Sequence, residues 1–185
     1  MAQAEGAPWT QPRWVPERSE RKSRNASSSV PLTESTTKGM SGMRLNNKIA
    51  IVTGGGQGIG KVLALTFARE GAKVTVASRN LENLERIRKE IEAMGGASLA
   101  VQMDLTDEAT IRNMTEKTLE KFGRIDILVN NSGIAGPTKL CEDVTREEWE
   151  KCFAVNMTGM FLCCKSVIPA MKEQMSGRII NVGSV

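Results

Sequence analysis

The residues whose types and spacing could do chemistry begin at Thr53-Gly54-Gly55-Gly56-Gln57-Gly58-Ile59-Gly60. A short β-branched run, Lys48–Thr53, leads in, and a helical apolar pattern follows. Glycines between a strand and a helix N-terminus leave backbone N–H groups facing outward, and the helix dipole favours negative charge there. With no side chains in the way, a diphosphate can approach the backbone closely. No Gly-Lys-Ser/Thr follows, so the turn is not a P-loop. Further along, Ser78-Arg79 follows a second strand-like run, and a hydroxyl beside a guanidinium suits a phosphate. Asp104 and Leu105 follow a third run, Asn130-Asn131-Ser132-Gly133 closes a fourth, and Ser184 follows a fifth.

Other chemistries are excluded by composition. The 185 residues contain no histidine, which removes His-ligated metal sites, His general bases and Ser-His-Asp triads. Tyrosine is absent as well. The four cysteines, Cys141, Cys152, Cys163 and Cys164, form no C-x-x-C pair and read as buried or half-buried thiols of a reducing cytoplasm, so no metal site is expected. The formal charge of +4 is small and dispersed, which gives no reason to expect nucleic acid as a partner. The apolar stretch Cys152–Met171 contains Asn156, Lys165 and Pro169 and reads as a buried soluble helix, not a membrane span.

These residues need a frame, and strand and helix patterns alternate to supply one. Lys48–Thr53 leads to a helix over Gly58–Glu70, with Ile59, Val62, Leu63 and Phe67 at helical spacing. Lys73–Ala77 is a strand, and Asn80 caps a helix striped by Leu81, Leu84, Ile87, Ile91 and Met94. Ser98–Met103 is a strand, and Thr106 is expected to cap a helix that Gly123 ends. Ile125–Asn130 is a strand. Thr145 with Glu148 forms a capping box opening a long helix to Gln174, irregular near Asn156–Gly159. Arg178–Val182 is the fifth strand. Helices of this length between strands predict right-handed crossovers and a parallel sheet covered on both faces. Trp149 is expected in the core or an interface, Asn130 in a structural role between strands, and Glu147 to Lys151 on a solvated face.

Residues 1–42 differ. They carry Pro8, Pro12, Pro16, Pro31 and the serine run Ser27–Ser29, with few branched apolar residues, and are expected to be a disordered N-terminal extension. Met40 or Met43 is the expected natural start. No secretory h-region is present, and four glutamates count against a transit peptide.

Together the motifs resemble the short-chain dehydrogenase/reductase family, with 3-oxoacyl-acyl-carrier-protein reductases and polyol or sugar dehydrogenases as the nearest members. Thr53–Gly60 is similar to its Thr-Gly-x-x-x-Gly-x-Gly fingerprint, and Asn130–Gly133 to its Asn-Asn-Ala-Gly motif. Asp104 resembles its adenine-contacting Asp, Val155–Gly159 the segment bearing its active-site Asn156, and Arg178–Val185 the strand ending at its catalytic Ser184. The resemblance implies an α/β fold, a Rossmann-type doubly wound parallel sheet over 43–185, with five strands present and the C-terminal strands missing. It implies cofactor contacts at Gly54, Gln57, Gly58, Ile59, Gly60, Ser78, Arg79, Asp104, Leu105, Asn131 and Gly133.

The end of the second strand bears on the choice of cofactor. A carboxylate there would bind the ribose 2′-OH of NAD, and a cation would pair with the 2′-phosphate of NADP. Val76-Ala77-Ser78-Arg79-Asn80 offers no acid, so NADP(H) is expected over NAD(H). The implied activity is hydride transfer between nicotinamide and a carbonyl or alcohol substrate, including a 3-oxoacyl carrier thioester. The implied assembly is a homodimer or homotetramer in the cytoplasm. The family's general acid is a Tyr-x-x-x-Lys tyrosine about a dozen residues after the serine. One residue follows Ser184. The expectation is therefore the N-terminal part of a longer enzyme, inactive by itself. The alternative is a truncated form that binds cofactor or partners without catalysis.

Overall fold

The computed structural model describes residues 42–183. The expected disorder of the N-terminal extension falls almost wholly outside these residues, and so does Ser184.

Five strands form one parallel sheet: β1 (Ile49–Thr53), β2 (Lys73–Ser78), β3 (Ser98–Gln102), β4 (Ile127–Asn130) and β5 (Arg178–Asn181), in the spatial order β3-β2-β1-β4-β5. The chain builds outward from β1 to β3, then returns to the other side of β1 with β4. Ile51 lies between Thr75 of β2 and Leu128 of β4. Ladder and helices together meet the backbone's hydrogen-bonding needs in a fully buried centre.

Of the five α-helices among the described residues, four cover the sheet. The face formed by α1 (Gly58–Arg69) and α2 (Leu81–Ala93) packs Ala64, Leu65, Leu84, Ile87 and Ile91 onto Val52, Val74, Val76 and Val129. On the other face, α3 (Glu108–Phe122) and α5 (Met160–Glu173) pack Ile111, Met114, Cys163, Val167 and Met171 with Ile51, Val101 and Leu128. Adjacent residues of β1 thus feed opposite cores, which is why its sequence is continuously apolar. The short α4 (Arg146–Phe153) runs into α5 through a π-helical segment, Ala154–Gly159. Strand ends differ from the sequence reading by one or two residues.

Several expectations are corrected. Asp107, not Thr106, caps α3, accepting from Ala109 N at 2.9 Å. The Thr106 hydroxyl turns back to Asp104 instead, at 2.8 Å. Cys141 is exposed, because it sits on a single 3₁₀ turn outside the packed helices. Trp149 is not in the core. It stacks on Phe153, ring centroids 4.5 Å apart, on a helix with no buried residue. The long apolar helix is buried along one face only, through Cys163, Val167 and Met171, while Phe161 and Ile168 stay exposed. By length and composition the run Arg146–Glu173 is apolar enough to cross a membrane, its most apolar 18-residue window having a mean hydropathy of 1.4. Only Cys163, Val167 and Met171 of α5 are buried against the rest of the fold, and most of the apolar stretch stays accessible. The expected Thr145–Glu148 capping box is present in both directions, and Asn130 Nδ2 donates to Asn181 Oδ1 at 2.9 Å, tying β4 to β5.

Candidate functional site

In open α/β sheets the crevice forms beyond the carboxyl ends of the strands, where the strand order reverses. Here that point lies between β1 and β4. A cleft of about 540 Å³ opens there, lined from four directions: the glycine turn, the β2–α2 turn, the β3–α3 loop and the segment after β4.

The glycine turn is shaped by close approach. Gly54 holds a φ of +67°. A Cβ on Gly60 would stand 2.2 Å from the Gly54 carbonyl oxygen and 2.6 Å from Asn131 Nδ2. No side chain fits, so α1 begins hard against the turn and its N-terminus faces the cleft. Over Gly58 a Cβ would meet nothing within 4 Å. That open cradle above a helix N-terminus fits a dinucleotide's diphosphate. Thr53 locks the turn to the opposite wall. Its Oγ1 accepts from Asn131 N and Ser132 N, both at 3.0 Å, and donates to Val129 O at 3.3 Å. Asn131 Nδ2 returns a bond to Thr53 O at 3.0 Å.

On the β2–α2 side, Ser78, Arg79, Asn80 and Asn83 line the cleft. Asn80 caps α2, accepting from Asn83 N at 2.9 Å. Asp104 lies on the β3–α3 wall. Its Oδ1 accepts from Thr106 N at 2.9 Å and from Thr106 Oγ1 at 2.8 Å. Those two bonds hold the carboxyl below its ordinary pKa, and the Arg79 charge lowers it further. Asp104 is therefore an acceptor, already ionised and fixed in direction.

Asn156 stands behind the cleft, within the π-helical segment. Its Oδ1 accepts from Ile134 N and its Nδ2 donates to Ile134 O, both at 2.9 Å. The same Nδ2 reaches Cys152 Sγ at 3.3 Å. Asn156 thus clamps the backbone just after Gly133, on the wall where Ile134 itself meets the cleft. Nearby, burial and then the neighbouring Cys164 push the Cys163 thiol up to about 12, so it is an inert core residue.

Of the residues singled out from the sequence, Gly54, Gln57, Gly58, Ile59, Ser78, Arg79, Asp104, Leu105, Asn131 and Gly133 share this cleft. Gly60 lies beneath it and Asn156 behind it. Sequence reasoning passed over Asn80, Asn83, Met103 and Val155 as lining residues, and Thr53 as the link between the walls. The fixed place of Thr53 before the glycines was the available signal for its role.

A parallel sheet in this order, with a glycine turn opening the first helix, defines a Rossmann-type domain. Residues 48–185 match the family model described as short chain dehydrogenase, and the chain belongs to the short-chain dehydrogenase family. It is 40% identical over 143 residues to the 3-oxoacyl-[acyl-carrier-protein] reductase FabG of Thermotoga maritima, covering 77% of this chain and 58% of that one. It is 42% identical over 142 residues to the 3-oxoacyl-[acyl-carrier-protein] reductase of Synechocystis sp., covering 76% and 57%. The chain therefore spans somewhat over half the length of these relatives. Among solved structures, a metagenomic short-chain oxidoreductase in complex with NADP aligns with a TM-score of 0.72 at 33% identity, covering 76% of this chain and 64% of that one. A 7α-hydroxysteroid dehydrogenase complexed with NADH and 7-oxo glycochenodeoxycholic acid aligns at 0.73 and 34% identity, covering 77% and 55%.

Proposed function

We propose that this chain is the cofactor-binding part of an NADP(H)-dependent short-chain oxidoreductase. When bound, the nicotinamide supplies a hydride to, or takes one from, a carbonyl or alcohol carbon. The glycine turn and α1 N-terminus hold the diphosphate, with Gln57, Gly58 and Ile59 along its course. Asp104 and Leu105 flank the adenine, and Asn131 and Gly133 border the nicotinamide half. Asn156 keeps that border in place through Ile134, and Ser184 orients the substrate oxygen. Relatives named as acyl-carrier-protein reductases support a 3-oxoacyl thioester as substrate class. The proposed setting is cytoplasmic and the proposed assembly a homo-oligomer. The tyrosine general acid implied by the resemblance is not among these 185 residues, so we propose that they bind cofactor without turnover. The coding sequence beyond Val185 tests this: a Tyr-x-x-x-Lys motif about a dozen residues on supports it, and a stop codon favours a binding-only protein.

The observation carrying the NADP assignment is Arg79 on the cleft wall beside Ser78, with no carboxylate at the end of β2. A guanidinium–phosphate contact is worth about 1.5–3 kcal/mol, so Arg79→Ala is expected to weaken NADPH binding about tenfold to a hundredfold. NADH binding should change far less. Fluorescence titration of both cofactors measures the ratio, and an unchanged ratio overturns the assignment.

A further inference from the structure

Arg79 stands on a very short connection, between the last residue of β2 and the Asn80 cap of α2. An arginine on such a turn discriminates between ligands only if its backbone is held, because a long side chain on a mobile turn loses much of its contact energy to ordering. Both carbonyls of the turn are held from β3. Ser78 O accepts from Met103 N at 2.9 Å, the last backbone bond of that edge. The Ser78–Gln102 pair is the last of the β2–β3 register, and Gln102 extends the pairing with its side chain. Its Nε2 donates to Arg79 O at 3.0 Å. Gln102 is itself exposed, pairs opposite Ser78 in the ladder, and does not line the cleft. The far end of the turn is fixed by Asn80 Oδ1 on Asn83 N. Across the cleft, Asp104 stands as the counter-charge to Arg79.

We propose that Gln102 is a positioning residue for cofactor discrimination: its carboxamide anchors the Arg79 backbone so that the guanidinium stays over the phosphate end of the cleft. This rests on the NADP reading of Arg79. A residue serving only to stabilise the sheet edge would affect both cofactors alike. A residue acting through Arg79 affects only the phosphorylated one.

The test is a double-mutant cycle on the intact gene product, with NADPH and NADH titrated separately and thermal unfolding followed in parallel. Gln102→Met keeps the length of the side chain and removes the donor. It is expected to weaken NADPH binding about threefold to tenfold while leaving NADH affinity nearly unmoved, and any fall in the melting temperature is read separately from that ratio. In an Arg79→Ala background the same change should have no effect on the ratio. Equal weakening of both cofactors, or an effect that persists without Arg79, overturns the proposal. If Arg79→Ala shifts the ratio and Gln102→Met does not, Gln102 falls alone. If Arg79→Ala leaves the ratio untouched, the reading of Arg79 falls and takes Gln102 with it.

Discussion

Single side chains here do their work by fixing backbone. Asn156 grips Ile134 at both its N–H and its carbonyl, Thr53 gathers two N–H groups from the opposite wall, and Asp104 gathers Thr106. For Asp104 this has a pH signature. Its folded-state pKa lies below the unfolded value, so its contribution to stability is complete above the ordinary aspartate pKa and fades as pH falls through the lowered one. Asp104→Asn should therefore destabilise the protein near neutral pH and flatten the acid limb of the stability curve. Denaturant midpoints measured down to low pH check this, and an acid limb identical to that of the parent protein would count against the assignment.

At the scale of elements, the π-helical segment is where packing overrides the helix. A Cβ on Gly159 would lie 2.6 Å from Leu105 Cβ and 2.8 Å from the Leu105 carbonyl oxygen. The segment can press against the β3–α3 loop only because residue 159 has no side chain. Gly159→Ala is expected to cost about 1–3 kcal/mol, as overpacking does. It should also loosen cofactor binding, since the same segment carries Asn156. Thermal unfolding alongside NADPH titration separates the two effects. Most elements were legible in the sequence because apolar spacing and caps agree: the stripe through Leu84, Ile87 and Ile91, the Asn80 cap and the Thr145–Glu148 box are all found. The cap of α3 was misread because Thr106 and Asp107 are both competent caps, and only the third dimension shows Thr106 already committed to Asp104. The cleft's glycines, Arg79 and Asp104 were legible from their places at strand ends. Asn83 and Gln102 were not, since a helix-surface Asn and a strand-end Gln carry no chemical signature until the turn between them is seen.

For the whole molecule, the join between β1 and β4 unites the two halves of the sheet, and a buried carboxylate secures it. Asp126, 4% exposed, accepts from Ile49 N at 3.0 Å and from Arg124 Nη2 at 2.6 Å, with Lys48 at 3.7 Å. Asp126→Ala leaves the Ile49 N–H buried without an acceptor, a loss of about 1–3 kcal/mol. The two cations are about half exposed, so water compensates them and the loss stays at the hydrogen-bond scale. Chemical denaturation measures it, and a change below a few tenths of a kcal/mol would show that the strand pair holds without the carboxylate.

The same join sets a timetable for synthesis. The bond between β2 and β3 through Ser98 spans 24 residues, whereas the one between β1 and β4 through Asp126 spans 77. Translation at about 5–20 residues per second leaves the central strand waiting roughly 4–15 s for its second neighbour. For that interval Ile49-Ala50-Ile51-Val52-Thr53, destined for complete burial, offers an open apolar edge to the crowded surroundings of the ribosome. Among the described strands, the one at the heart of the sheet is the first to be made and waits longest for its second neighbour, so chaperone demand should centre on it.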